Sequence, residues 1–141
     1  MKKALLSDID GTISDRTHRL HYLDDKKDWV SFFNNSKFDK PIIYIIDQIE
    51  NLLPFYDTLI FLTGRPDNYE SITREWLDTN TNFKDYRLMM RKEKDYRDDV
   101  IIKKEMLDLV RQNYSVEIIF EDQKKLCTMW KKEGLKYIRA I

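Results

Sequence analysis

Ala4-Leu5-Leu6-Ser7-Asp8-Ile9-Asp10-Gly11-Thr12 is a short apolar run that ends in two carboxylates one residue apart, then a glycine, then a hydroxyl. It reads as a buried strand running into a turn. Side chains alternate faces along a strand, so Asp8 and Asp10 are expected on one side where it stops, with Ile9 turned away. Two acids placed together repel, and burying them is costly without a counter-charge. A divalent cation at the strand end is the remedy, and oxygen-only ligands suit magnesium. The stretch reads as a metal-assisted phosphoryl-transfer site. The blander alternative is an Asp-Gly turn closing a strand, with Asp8 as a cap.

Working outward, apolar runs of strand length follow at 59–62, 86–90, 116–120 and 135–141. Helical patterns lie between them, at 41–53 (Ile42, Ile45, Ile46, Ile49, Leu52 and Leu53 on the 3.6 period), 69–77, 99–110 and 126–132. Strands alternating with helices predict an α/β fold, a mainly parallel five-stranded sheet with helices on both faces. In such sheets the reactive crevice lies at the carboxyl ends of the strands. The candidate chemistry clusters just there. Asp8 and Asp10 follow the first run and Thr63-Gly64-Arg65 the second. Arg91, Asp95, Arg97 and Asp99 follow the third, with Lys103 four residues into a helix, and Glu121-Asp122 closes the fourth. The polar stretch 14–40 breaks the alternation and carries one amphipathic piece with Trp29, Phe32 and Phe33. It is expected to form a small flap over the site, because it leaves directly from the acidic loop.

The 141 residues bound one compact domain, with 42% hydrophobic and 13% aromatic residues to fill a core and 35% charged residues to solvate it. Lys+Arg and Asp+Glu balance at 25 each, so no global field steers the chain to nucleic acid or membrane, and any polyanion contact has to be local. Cys127 stands alone, which excludes an internal disulfide and fits a reducing compartment. With no long apolar run and no leader after Met1-Lys2-Lys3, a cytoplasmic protein without a membrane partner is expected.

Each candidate has a role that its chemistry allows. Asp8 suits a nucleophile that attacks phosphorus and holds a covalent phosphoenzyme. Asp10 suits a general acid and base, a role worth roughly 10²–10⁴-fold, with Thr12 orienting it. Thr63, Gly64 and Arg65 offer a hydroxyl and backbone N–H groups at a helix N-terminus, a phosphate cradle; otherwise Thr63 is an N-cap and Arg65 a surface residue. Lys103 would neutralise phosphate and the attacking carboxylate, or lie on a solvated face beside Lys104 and Glu105. Glu121 and Asp122 would complete the metal shell, or cap the helix that follows. Arg91, Lys92, Lys94 and Arg97, with Arg16, His18, Arg19 and His21, form either a local basic rim or a solvated face. The histidines lack zinc spacing, and Cys127, Met129 and Trp130 read as helix core. Trp29, Phe32 and Phe33 read as flap packing in preference to base stacking.

These residues together resemble the haloacid dehalogenase superfamily of aspartate-nucleophile phosphotransferases, with DIDGT, LTGR, a helix lysine and FED in order. Within it, the chain looks like the 3′-phosphatase domains of bacteriophage-type polynucleotide kinase/phosphatases. The features that carry this are His18-Arg19 after DIDGT, the KDW–FF stretch, TGRP with Thr73 and Trp76, and Asp95-x-Arg97-x-Asp99 with Lys103 after Met90-Arg91. EDQ and Met129-Trp130 complete the match. The resemblance implies a Rossmann-like, doubly wound sheet, Mg²⁺ dependence, and removal of phosphate from a 3′ nucleotide or nucleic-acid end. It implies Asp8 as nucleophile and Asp10 as acid/base with its backbone oxygen on the metal. Thr63 and Lys103 would hold phosphate, and Arg19, Arg65 and Asp99 would support the site. Glu121 stands where the relatives usually have aspartate, which makes Asp122 the firmer ligand. No GxxxxGK[ST] kinase signature occurs, and no obligatory protein partner is expected. A nucleoside monophosphatase of the same superfamily is the nearest rival; a phospho-accepting receiver module, whose acceptor belongs after the middle strand, is a remote one.

Overall fold

The structure, a computed structural model, describes residues 1–139. Seven strands are formed in chain order: β1 (Lys2–Ser7), β2 (Ser14–Asp15), β3 (Lys40–Pro41), β4 (Thr58–Pro66), β5 (Arg87–Arg91), β6 (Tyr114–Glu121) and β7 (Lys136–Arg139). Among the described residues, five α-helices accompany them: α1 (Trp29–Asn34), α2 (Ile43–Leu52), α3 (Glu70–Asn80), α4 (Asp99–Arg111) and α5 (Lys124–Lys132). Five strands pair in parallel in the order β5-β4-β1-β6-β7, the Rossmann-like α/β sheet expected. Of the run predicted at 135–141, residues 140 and 141 lie outside the described residues.

Alternation along the strands decides which helix lies on which face. Leu5, Leu59, Phe61 and Phe120 point to one side, where they meet Ile45, Ile46 and Ile49 of α2 and Trp76 and Leu77 of α3. Ala4, Leu6, Ile60, Leu62 and Ile119 point to the other, against Ile102, Met106, Leu107 and Val110 of α4 and Leu126 and Trp130 of α5. Each of the larger of these side chains contributes roughly 1.5–3 kcal/mol by leaving water, so both faces are held. An extra residue in β6 between the Ala4↔Val116 and Leu6↔Ile119 pairs is a bulge. It brings Ile119 and Phe120 level with Leu6 and Ser7, so that β6 ends beside β1.

The chain leaves β1 for β4 and β5, then crosses back to lay β6 on the other flank of β1. That reversal makes the carboxyl end of β1 the switch point of the sheet, where a crevice opens. The helix expected from residue 41 begins at Ile43, because Pro41 pairs with Ser14 in a two-residue antiparallel ladder. This ladder closes the stretch between β2 and β3 on itself. Within it Asp28 caps α1 by accepting from the Ser31 N–H at 3.0 Å, and the helix buries Phe32 and Phe33. No helix among the described residues is long and apolar enough to cross a membrane.

Candidate active site

Three carboxylates, those of Asp8, Glu121 and Asp122, offer ligand atoms within 4.8 Å of one another. The main chain places them. The Asp8 N–H donates to the Phe120 carbonyl at 2.9 Å, extending the β1–β6 ladder to the residue before Glu121. Lys103 reaches the same point because its neighbour Ile102 seats α4 on the sheet. Its Nζ lies 2.7 Å from Asp8 Oδ1 and 3.1 Å from Glu121 Oε1. Lys103 is 2% exposed, which excludes the solvated face.

Glu121 is fully buried and heavily engaged. Oε1 also accepts from Trp130 Nε1 at 3.2 Å, and Oε2 accepts from the Asp122 N–H at 3.2 Å and the Gln123 N–H at 3.5 Å. Asp122 is freer, with Arg16 at 3.5 Å on its Oδ2. Gly11 exists here for space: at φ +80°, a Cβ would stand 2.2 Å from Asp122 Oδ2. Burial, then the Glu121 charge, push the Asp8 carboxyl up to about 7 against the pull of Lys103. Burial, then the Asp8 charge, raise Asp122 to about 7 as well. For Lys103 burial favours the neutral amine, but Asp8 and Glu121 outweigh it and hold the ammonium charged. Three acids against one buried amine are short of positive charge, and every donor is oxygen. That set fits magnesium.

Asp10 departs from the expectation. Its carboxylate is not part of the acid trio, because the chain turns after Ser7 and no longer alternates as a strand. It lies instead between two buried guanidiniums. Arg65 Nε reaches its Oδ2 at 3.0 Å and Nη2 its Oδ1 at 2.8 Å, and Arg19 Nη2 bonds the same Oδ1. Burial works against the charge on Asp10, but Arg65 and then Arg19 outweigh it and hold the carboxyl well below the usual range. Behind them sits Asp39, which accepts from Arg19 Nε at 2.8 Å and Nη2 at 2.7 Å and shares a hydrogen bond with His18 Nε2 at 2.7 Å. Trp76 Nε1 pins the Asp39 carbonyl at 2.9 Å. Arg19 and Arg65, expected to contact phosphate or to support the site, are buried here against these acids: Arg19 is 0% and Arg65 1% exposed, with Arg65 Nη1 donating to Thr73 Oγ1 at 3.0 Å.

Other expected contacts are also reassigned. The Thr12 hydroxyl lies 3.2 Å from Asp8 Oδ2 and 3.4 Å from Asp122 Oδ1, so it orients those two and not Asp10. Thr63, Gly64 and Arg65 belong to β4, not to a helix N-terminus, since the strand continues to Pro66 and α3 starts only at Glu70. Buried Thr63 Oγ1 accepts from the Arg65 N–H at 3.1 Å. The β4–β5 register shifts between Thr63 and Pro66, and Arg91 Nε fills the gap by donating to the Gly64 carbonyl at 2.8 Å. Arg91 also bonds Asp99, whose Oδ1 would be 2.7 Å from a Cβ on Gly64. Arg97 is exposed and paired with Asp95 (2.8 Å) and Glu105 (2.7 Å), so it braces the loop before α4. The basic rim is thus largely neutralised by its own acids.

A cavity of about 710 Å³ opens over Asp8, Asp10 and Lys103, and Trp29, Phe32, Phe33, Arg91 and Asp99 also line it. Cys127 is buried in α5, and burial pushes its thiol up to about 11, as befits core. Asp39 was not legible as a site residue, because one aspartate before a lysine has no local signature. Trp130 was legible as core but not as a donor to Glu121.

The family model of the polynucleotide kinase PNKP phosphatase domain matches residues 2–140. A protein of Autographa californica nuclear polyhedrosis virus, named for polynucleotide kinase and RNA ligase activities, is 29% identical over 130 residues, 91% of this chain and 18% of that protein. Among solved structures, a chain of the Pnkp1/Rnl/Hen1 RNA repair complex superposes with a TM-score of 0.82 at 27% identity, covering 99% of this chain and 42% of that one. The class C acid phosphatase of Bacillus anthracis shares the fold, with a TM-score of 0.73 at 15% identity over 99% of this chain and 66% of its own. This chain spans less than half the length of the viral protein and of the repair-complex chain. The chain belongs to the PNKP phosphatase-domain family of haloacid dehalogenase-type phosphoric monoester hydrolases.

Proposed function

We propose that this chain removes phosphate from 3′ ends of nucleic acid or nucleotides, with magnesium, through an aspartyl-phosphate at Asp8. The observation that carries the reading is Lys103 between Asp8 and Glu121, with Asp122 alongside. Asp8 attacks phosphorus in line, making one P–O bond as the bond to the ester oxygen breaks, and Asp10 delivers a proton to that leaving oxygen. Water then attacks the phosphoaspartate, Asp10 takes its proton, and phosphate leaves with Asp8 regenerated. Lys103 neutralises charge on the nucleophile and the transferring group. Asp8, Asp122 and Glu121 would hold magnesium, which supplies positive charge against the phosphoryl oxygens. Arg19 and Arg65 keep Asp10 ionised at rest, ready as base. Its acid role needs one proton, which Asp10 takes up from solvent as substrate binds; the proton it later takes from water is returned to solvent.

The relatives are named for a polynucleotide kinase/RNA ligase and for an RNA repair complex, which favours a nucleic-acid end over a free metabolite, and the reducing setting suggested by lone Cys127 favours the cytoplasm. The test is a panel of a 3′-phosphorylated oligonucleotide, a 3′-mononucleotide and a 5′-mononucleotide, with and without magnesium. Hydrolysis should need magnesium, prefer the 3′ ends and vanish in Asp8→Asn. Activity that survives Asp8→Asn refutes the mechanism, and a hundredfold preference for the 5′-monophosphate refutes the substrate.

A further inference from the structure

The cavity over Asp8 is continuous with a wall that phosphoryl transfer leaves unused. Trp29 is the first residue of α1 and 49% exposed, whereas Phe32 and Phe33 of the same helix are buried. Its indole is braced from behind by Phe33, stacked at 5.9 Å and 21°, and by Phe32, edge-on at 5.8 Å and 86°. It lines the cavity that holds Asp8 and Asp10. A substrate that presents phosphorus to Asp8 has to lodge its leaving group in this space. The rest of the lining offers little to a polyanion, since cations there are already paired: Arg91 with Asp99, Arg97 with Asp95 at 2.8 Å, and Lys125 with Asp98 at 3.3 Å. A charged backbone finds no open row of cations there, whereas a flat aromatic group finds a rigid, half-exposed indole.

Resting on the reaction proposed above, we propose that Trp29 is a stacking platform for the terminal nucleobase of the leaving group, so that the protein grips the last nucleoside and not the strand behind it. Base–aromatic stacking changes affinity by about tenfold or more per base. The experiment compares kcat/KM for a 3′-phosphorylated trinucleotide with its counterpart carrying a stable abasic residue at the 3′ end. Wild-type protein should prefer the base-bearing end by about tenfold or more. Trp29→Ala should bring the ratio close to one, Trp29→Phe should restore most of it, and lengthening the oligonucleotide should add no comparable gain. A wild-type ratio near one, a preference kept in Trp29→Ala, or a tenfold gain with length overturns the platform while leaving the 3′-phosphatase standing. A wild-type protein that cleaves neither end overturns both.

Discussion

Replacing Lys103 with methionine keeps the aliphatic stem packed beside Ile102 and deletes the ammonium that faces two buried carboxylates. Its Nζ lies 2.7 Å from Asp8 and 3.1 Å from Glu121. At an effective permittivity near 20 these attractions come to about 6 and about 5 kcal/mol, gross figures that the cost of burying the ammonium offsets. Breaking a buried pair by removing one partner typically costs about 3–5 kcal/mol, which for a domain of this size is a fall in Tm of roughly 10–20 °C. The loss should also depend on pH. Asp8 is already pushed up to about 7 with Lys103 in place, and without it the folded-state value goes higher. A carboxyl raised on folding contributes stability below its unfolded value near about 4 and loses it as pH rises through the folded value. The deficit of Lys103→Met should therefore be larger at about pH 8 than at about pH 5.5, where the acids take up protons. Thermal unfolding of both proteins in chelator at the two pH values measures this, and turnover should fall by about 10²–10³. A Tm change under about 2 °C, or an equal deficit at both pH values, refutes the assignment of Lys103 as counter-ion of the cluster.

Magnesium needs Asp8 and Asp122 ionised, and both are pushed up to about 7; the rise in Tm on adding magnesium should grow between about pH 5.5 and about pH 8, and a flat response in scanning fluorimetry would count against these ligands. Gly11→Ala places a Cβ at a positive φ and 2.2 Å from Asp122 Oδ2, so it should weaken magnesium binding about tenfold or more and cost about 1–2 kcal/mol in urea unfolding. Asp39→Asn removes the charge that Arg19 meets at 2.7 Å and 2.8 Å; stability should fall by about 3–5 kcal/mol and turnover with it, and a variant with wild-type urea midpoint and turnover would show that Asp39 holds nothing.

Hydrophobic periodicity made the sheet, its helices and the crevice readable from sequence, because it is local and repeats every two or 3.6 residues. The gathering of Asp8, Glu121 and Asp122 at strand ends was readable too, with Lys103 on the helix after the third run, since a parallel sheet delivers its loops to one rim. The pairing of charges was not readable. Asp10 with Arg65 spans 55 positions, and Lys103 with Asp8 spans 95. Which cation meets which anion depends on where a helix seats and which way a turn leaves its strand. Thus strand alternation put Asp10 on the side of Asp8, whereas the turn after Ser7 hands its carboxylate to Arg19 and Arg65. Asp39 entered that network only because the ladder of Ser14 and Pro41 folds residues 14–40 back over the sheet. The amino-acid order alone determined the elements and the rim where chemistry gathers; packing alone decided the partners, because ionic contacts require no pattern along the chain, only proximity in space.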